Sequence, residues 1–358
     1  MANFWQIRLV DLLSLTRDEL AGELEELGEP SFRAAQLCGW IYERRARTFE
    51  EMTDLPAALR AGFSERFALR PLTKVKETGS EDTTRKFLFR LHDGQMIETV
   101  LIPASPALYG ERADRRTVCI SSQVGCAYGC KFCASGLHGL KRNLTPGEIV
   151  AQFLAVEELS EEKISNIVFM GMGEPFANYD NLMRAIGILN APWGVGLGAR
   201  SMTVSTSGLV PRIRDFADQP LQVRLAISLH GATDAVRGKI MPVNRKYPLS
   251  ELLDACEHYS SRKNQHLTFE YILIRGVNDT DEQALALAAH ARRLRAKVNL
   301  IPYNTVGGLD WQRPTQAVQE RFLSLLRTRD ISVTLRREKG HDIAAACGQL
   351  RLQETSRS

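Results

Sequence analysis

Three cysteines stand within eight residues of one another, Cys126-Ala-Tyr-Gly-Cys130-Lys-Phe-Cys133, a CxxxCxxC spacing. Cubane iron–sulfur clusters are ordinarily held by four cysteine thiolates. A three-thiolate set therefore binds three irons and leaves the fourth open, and an open iron can take the amino and carboxylate groups of S-adenosylmethionine (SAM). An electron delivered through such a [4Fe-4S] cluster cleaves the sulfonium and yields a 5′-deoxyadenosyl radical, chemistry that belongs to the cofactor and that the protein has only to position. Phe132, just before the last cysteine, offers an aromatic ring to pack near a nucleoside. The alternative use of the same residues is a structural zinc site, but that usually takes four ligands in two spaced pairs, and the local set supplies three.

Seven cysteines occur in all: Cys38, Cys119, Cys126, Cys130, Cys133, Cys256 and Cys347. An odd, clustered set in a chain expected to be cytosolic argues for metal or redox chemistry over a disulfide framework. Further along, Gly171-Met-Gly-Glu174-Pro175 combines glycines that let backbones approach closely with a carboxylate able to accept a hydrogen bond from the SAM ammonium. Taken alone it reads as a simple strand-to-helix turn.

These groups need a scaffold, and the hydropathy pattern provides one. Strands are predicted at 117–121, 166–170, 202–206, 223–228, 268–273, 298–302 and 332–335. Helices are predicted at 146–158, 180–189, 249–262, 282–294 and 314–327. Strands alternating with helices imply βαβ units and a parallel sheet. Six or so units fall short of the eight of a closed TIM barrel, so the fold class is α/β, a partial (β/α)6 TIM-like barrel. In such barrels reactive groups sit at the C-terminal ends of strands, where the cysteine cluster, GMGEP, STSG, SLH and IPYN all fall. Residues 1–75 read as a helical accessory domain, with Ser31 and Asp54 as candidate N-caps. Residues 76–111 form a connector, with a hairpin over 74–100 turning at Asp93-Gly94; residues 112–340 are the core and 341–358 a C-terminal segment.

Composition sets the outer bounds. The chain of 358 residues carries 46 Lys+Arg against 42 Asp+Glu, a net charge of +4, with 44% hydrophobic and 25% charged residues, which excludes disordered and fibrous classes. No apolar run reaches the ~18 residues that span a bilayer, and the N-terminus lacks a signal-peptide layout, so a cytoplasmic location without membrane attachment is expected. Basic clusters at 44–47, 112–116, 292–297 and 336–339 read separately as solvated faces, and together as a surface able to track RNA phosphates.

The segments CISSQVGCAYGCKFCASG, NIVFMGMGEPFANYDN, VSTSGLVP, LAISLHGATD, IMPVNRKYPL, FEYILIRGVND, VNLIPYN and DIAAACGQL resemble, in order and across nearly the whole chain, those of the RlmN/Cfr branch of the radical-SAM superfamily, RNA-adenine methyltransferases. The resemblance implies a radical-SAM barrel with a [4Fe-4S] cluster on Cys126, Cys130 and Cys133. It implies SAM contacts at Gly173, Glu174, Ser205, Ser228, Leu229, His230 and Asn304. Cys347 would carry the methyl group as S-methylcysteine, Cys119 would resolve the adduct through a transient disulfide with Cys347, and Glu98 would accept a proton. Residues 336–341 read RREKGH where an Arg-Gly-Asp-like run is typical of the branch.

Without the resemblance, Cys347 and Cys119 read as small buried hydrophobes, Glu98 as a solvated strand carboxylate and His230 as a satisfied strand-end histidine. Cys38 and Cys256 match no motif and read as core. The implied reaction is formation of 2-methyladenine in 23S rRNA and at the adenine beside the anticodon of tRNA, by a monomer served by an electron donor such as flavodoxin. Methylation at carbon 8, as in the Cfr-like members, uses the same residue set. A zinc-bearing RNA-binding protein and a radical-SAM enzyme acting on a small molecule are the readings from other classes.

Overall fold

The computed structural model describes residues 9–104, 115–137, 139–306, 309–336 and 343. Strands β6 (Arg116–Cys119), β9 (Asn166–Phe169), β10 (Met202–Thr206), β11 (Arg224–Ser228), β12 (Thr268–Leu273), β13 (Lys297–Pro302) and β14 (Val333–Leu335) pair in parallel, in sequence order. Against β6 pack, antiparallel, β5 (Met96–Pro103), β4 (Arg85–Leu91) and β3 (Leu72–Gly79), giving a ten-stranded sheet with β14 and β3 as its edges. The small strands β1 (Val10–Asp11) and β2 (Phe67–Ala68) pair with each other, as do β7 (Gln123–Gly125) and β8 (Leu140–Asn143). The core is thus the partial barrel expected, with six strands alternating with helices and a short seventh beyond them. Where a hairpin was expected over 74–100, the sheet gains a three-stranded meander.

The helices between the strands are α4 (Pro146–Ser160), α5 (Tyr179–Asn190), α6 (Val210–Asp218), α7 (Asp234–Ile240), α8 (Leu249–Lys263), α9 (Asp281–Arg293) and α10 (Gln316–Arg327). Helix α4 shows why its residues choose this form: Thr145 and Glu148 make a reciprocal capping box, Pro146 opens the first turn, and Ile149, Val150, Phe153 and Leu154 are buried. Helices α6 and α7 were not predicted, being only nine and seven residues long. The N-terminal unit is helical as expected, with α1 (Arg17–Glu26), α2 (Phe32–Cys38), a π-turn over Gly39–Glu43 and α3 (Ala57–Arg66). Of its two expected caps, Ser31 holds the N-cap position of α2 without a side-chain cap bond, and Asp54 is not at a helix start. Ser31 is itself helical, and α3 starts behind Pro56. Asp54 instead accepts from Trp40 Nε1 (2.5 Å) and pairs with Arg44.

This unit is fastened to helix α4. Gly147 donates its N–H to Ser14 Oγ (2.8 Å), Asp11 lies against Thr145, Arg45 pairs with Glu157, and Arg47 with Glu158 (2.8 Å). Burial pushes the Asp11 carboxyl up to about 6 despite the hydrogen bonds from Ser14 and Leu13. The arginines at 44–47 therefore meet acidic partners within the protein, more than a purely solvated face would.

Register decides what faces inward. Pairing carries one face of the sheet from Lys86 to Val100 and Cys119, then to Val168 and Thr203; two residues along the strands it runs from Ser205 to Ala226, and from Ser228 to Glu270 and Asn299. Glu98 lies two residues from Val100, on that same face. The opposite face presents Thr99 to Gln152 of α4 (2.8 Å). The face bearing Ser205, Ser228 and Glu270 is the one that opens on the cavity described next.

Candidate active site

The cluster loop leaves β6, turns through β7, and returns along β8. Its shape is fixed by backbone bonds: Cys126 N–H to the Gly139 carbonyl (3.1 Å), Cys133 N–H to the Cys130 carbonyl (3.1 Å) and Lys131 N–H to the carbonyl of Ile240 at the end of α7 (2.9 Å). Cys126, Cys130 and Cys133 all line one cleft. Three thiols lining one cleft are a ligand set short of the four that a structural zinc site usually takes, and one that leaves an iron of a cubane open. Burial pushes the Cys126 thiol up to about 12 and raises that of Cys130 well above the ordinary range. Left unligated these thiols stay protonated, and it is metal charge that draws them to thiolates.

The same cleft is lined by Gly173, Glu174, Ser205, Ser228, His230 and Phe132. Gly173 has φ +100°, and a Cβ there would sit 2.5 Å from Gln123 Cβ, so only glycine lets this strand end close on β7. Glu174 is buried with both oxygens held: Oε2 accepts from Ser207 N–H (2.7 Å) and Oε1 from Phe176 N–H (3.1 Å), while its own N–H donates to Gln123 Oε1 (2.8 Å). Burial nevertheless raises its carboxyl above the usual range, and its remaining lone pairs suit an ammonium donor. Ser205 and Ser228 hydroxyls lie 3.3 Å apart.

His230, at φ +54°, accepts from Ile272 N–H through Nδ1 (3.0 Å), and its ring meets Phe132 edge-on at 4.6 Å between centroids. Burial lowers it to about 3, so it is a neutral ring carrying its proton on Nε2. It is a satisfied strand-end histidine and a cleft wall at once.

The other expected positions lie elsewhere. Leu229 is buried core, contributing its N–H to the Glu270 carbonyl (3.0 Å) rather than a side chain to the cleft. Asn304 is buried, with Oδ1 accepting from Arg313 Nη2 (3.0 Å). Cys119 is buried on the inward face. Glu98 is 5% exposed and paired with Lys86 Nζ at 3.0 Å, so it is not a solvated strand carboxylate. Its strand is internal to the sheet, flanked by β4 and β6. Cys347 falls outside the described residues. Cys38 and Cys256 are buried in the core as expected.

Two residues that matter to the site escaped the sequence reading. Glu270 lines the cleft from β12. Arg237 on α7 is fully buried, and its guanidinium holds three loops together, donating to the carbonyls of Leu229 (3.2 Å) and Ser207 and to Asn244 Oδ1 (2.8 Å). Nothing in GATDAVRGKI separates this arginine from a solvated helix cation. Removing it strands two buried acceptors, the Ser207 carbonyl and Asn244 Oδ1, while the Leu229 carbonyl keeps the N–H of Gly231, so Arg237→Ala should lower unfolding free energy by about 3 kcal/mol, read as a shift of the denaturant midpoint.

Residues 120–288 match the Radical SAM superfamily. The structure superposes with TM-score 0.91 and 48% identity on a radical SAM methyltransferase from Sphaerobacter thermophilus, covering 96% of this chain and 99% of that one. Fold and site together define a radical-SAM methyltransferase, a class whose cofactors are a [4Fe-4S] cluster and SAM. Residues 10–69 match a ribosomal RNA large subunit methyltransferase N-terminal domain. A probable dual-specificity RNA methyltransferase RlmN 3 of Opitutus terrae is 56% identical over 94% of this chain and 93% of its own length, and the probable RlmN of Akkermansia muciniphila is 52% identical over 95% and 94%. The chain belongs to the RlmN family of radical-SAM RNA methyltransferases.

Proposed function

We propose that this protein methylates carbon 2 of adenine in 23S rRNA and in tRNA, at the adenine beside the anticodon, through a methylated Cys347 and two molecules of SAM. The observation that carries the reading is that Cys126, Cys130 and Cys133 share one cleft with Gly173, Glu174, Ser205 and Ser228, while Cys119 and Glu98 lie on the sheet face that opens into it. Relatives named dual-specificity RNA methyltransferases support both RNA substrates.

Carbon 2 of adenine is electron-poor and the SAM methyl is electrophilic, so direct transfer between them is mismatched in polarity. A cysteine solves the first half: the Cys347 thiolate displaces S-adenosylhomocysteine from one SAM and keeps the methyl. The cluster, held by Cys126, Cys130 and Cys133, supplies the electron for reductive cleavage of the second SAM when bound. Once the Cys347 methyl has given up one hydrogen atom, its carbon has bonded to carbon 2 and the adduct has returned the one electron that the cleavage consumed, Glu98 takes the proton from carbon 2. The Cys119 thiolate then attacks the Cys347 sulfur. The sulfur–sulfur bond forms as the sulfur–carbon bond breaks, and the carbon leaves with the electron pair and takes up a proton as the product methyl. A cellular reductant reopens the Cys119–Cys347 disulfide. Lys86 holds Glu98 from the adjacent strand, keeping the carboxylate in place for this task.

Among the described residues no helix is long and apolar enough to cross a membrane, and we place the enzyme in the cytoplasm as a monomer, with a flavodoxin-type protein as electron donor. The test is anaerobic incubation of the iron-loaded enzyme with SAM, reductant and either protein-free 23S rRNA or tRNA, followed by nucleoside mass analysis. The expected product from both is 2-methyladenosine. An 8-methyladenosine product would move the protein to carbon-8 chemistry, and no modified nucleoside would overturn the reading.

A further inference from the structure

The loop that carries the three cysteines has the cleft on one side and solvent on the other. Cys126, Cys130 and Cys133 line the cleft, while Ala127, Gly129 and Lys131 between them are exposed. Gly136 packs back on this stretch, where a Cβ would sit 3.4 Å from Gly129 Cα, and Lys131 N–H bonds to the Ile240 carbonyl (2.9 Å). Residues 126–141 and the end of α7 therefore share one outer surface. A group held by the thiols has solvent a single layer of chain away on this side.

Two properties mark that surface. Leu137 and Leu140, three residues apart, are 43% and 41% exposed, two of the seven large hydrophobic side chains that stand exposed among the described residues. Lys131, Lys141, Lys239, Arg245 and Lys246 are exposed as well, and the first three make no ion pair among the described residues. Neither 126–147 nor 235–250 contains an Asp or a Glu. Asp93 and Glu148 reach the loop from other elements, but both hold Arg142, at 2.6 and 2.7 Å. A leucine exposed singly needs no explanation. A pair of them beside the cluster ligands, amid uncompensated positive charge, has the mixed apolar and polar build of a protein interface.

We propose that the outer surface of the cluster loop is the dock of an acidic one-electron donor protein, its lysines meeting the donor's carboxylates and Leu137 and Leu140 its apolar contact. Electron tunnelling weakens steeply with distance, so a donor has to seat where the cluster ligands are most thinly covered. Encounters of this kind bury small areas and depend on complementary charge for their rate. RNA phosphates would answer the same lysines, but single-stranded RNA is gripped by stacking on aromatic and guanidinium faces, which exposed leucines do not supply. The assignment rests on the reading that this loop holds the cluster, and it adds where the electron enters.

The experiment is stopped-flow reduction of the anaerobically iron-loaded enzyme by reduced flavodoxin and, separately, by reduced methyl viologen, a small cation that needs no dock. Wild type is compared with the double variants Lys131→Glu/Lys141→Glu and Leu137→Ser/Leu140→Ser. Iron content, flavodoxin affinity and 23S rRNA affinity are measured on each. The charge reversal should slow reduction by flavodoxin and weaken its binding by about tenfold or more at low salt, and the difference should close as salt is raised. The leucine variant should weaken flavodoxin binding about tenfold at every salt concentration. Reduction by methyl viologen, iron content and rRNA affinity should stay at wild-type levels in both. Unchanged reduction by flavodoxin in both variants would overturn the dock. Loss of rRNA affinity with flavodoxin binding intact would overturn it too, and make this a phosphate-tracking surface. Absence of iron in the wild type, or of any reduction by viologen, would instead overturn the reading of the loop itself.

Discussion

Cys130→Ala is expected to leave the protein folded but without its cluster, and so without detectable RNA methylation. Burial raises the Cys130 thiol well above the ordinary range, so without metal it does not exist as a free thiolate. With it gone, Cys126 and Cys133 supply two ligands, too few to retain a cubane. The backbone that shapes the loop does not depend on the side chain, since its bonds run from Cys126 N–H to Gly139, from Lys131 N–H to Ile240 and from Cys133 N–H to the Cys130 carbonyl. Iron and sulfide per chain should therefore fall to background after anaerobic reconstitution, with the absorbance of the cluster, while the unfolding midpoint of the metal-free proteins changes little. Unchanged iron in this variant would place the cluster on other ligands. Zinc in place of iron in the wild type would revive the RNA-binding reading that the count of three local ligands argues against.

The strands of the core were legible because parallel strands covered on both faces read as continuous apolar runs. Ranges such as 202–206 and 268–273 coincide with β10 and β12. Helices α6 and α7 were not, since nine and seven residues give too few turns for a periodicity to emerge. Ser31 and Asp54 carried cap chemistry without cap geometry: the chain is already helical at Ser31, and Trp40 and Arg44 claim the Asp54 carboxylate. In the site, motifs located the cysteines and Glu174, but not which strand residues share a face. That depends on register between strands far apart in the chain, which is why Glu98 and Cys119 rested on resemblance alone until pairing through Val100 put them on one surface. Glu270 left one legible trace, a lone carboxylate inside an apolar strand; Arg237 left none.

Cys119→Ala is expected to trap the enzyme on its RNA. If Cys119 opens the adduct, its loss leaves the carbon of the Cys347 side chain bonded to adenine with no thiolate to attack the sulfur. A covalent protein–RNA species should then accumulate, visible as a nuclease-sensitive shift on a denaturing gel, and released methylated product should fall to background. Folding is not at issue: Cys119 is one small side chain in a strand paired on both sides, with Val100 and Val168 as partners, and Cys→Ala there opens a space of only one sulfur atom, worth about 1 kcal/mol. The companion variant Cys347→Ala separates the two roles. Lacking the methyl-carrying sulfur, it should form neither methylated RNA nor adduct, and the double variant should behave as Cys347→Ala does, because a resolving thiol has nothing to resolve where no adduct forms. Free release of methylated RNA by Cys119→Ala would remove Cys119 from the reaction. An adduct formed by Cys347→Ala would move the methyl-carrying role to another nucleophile.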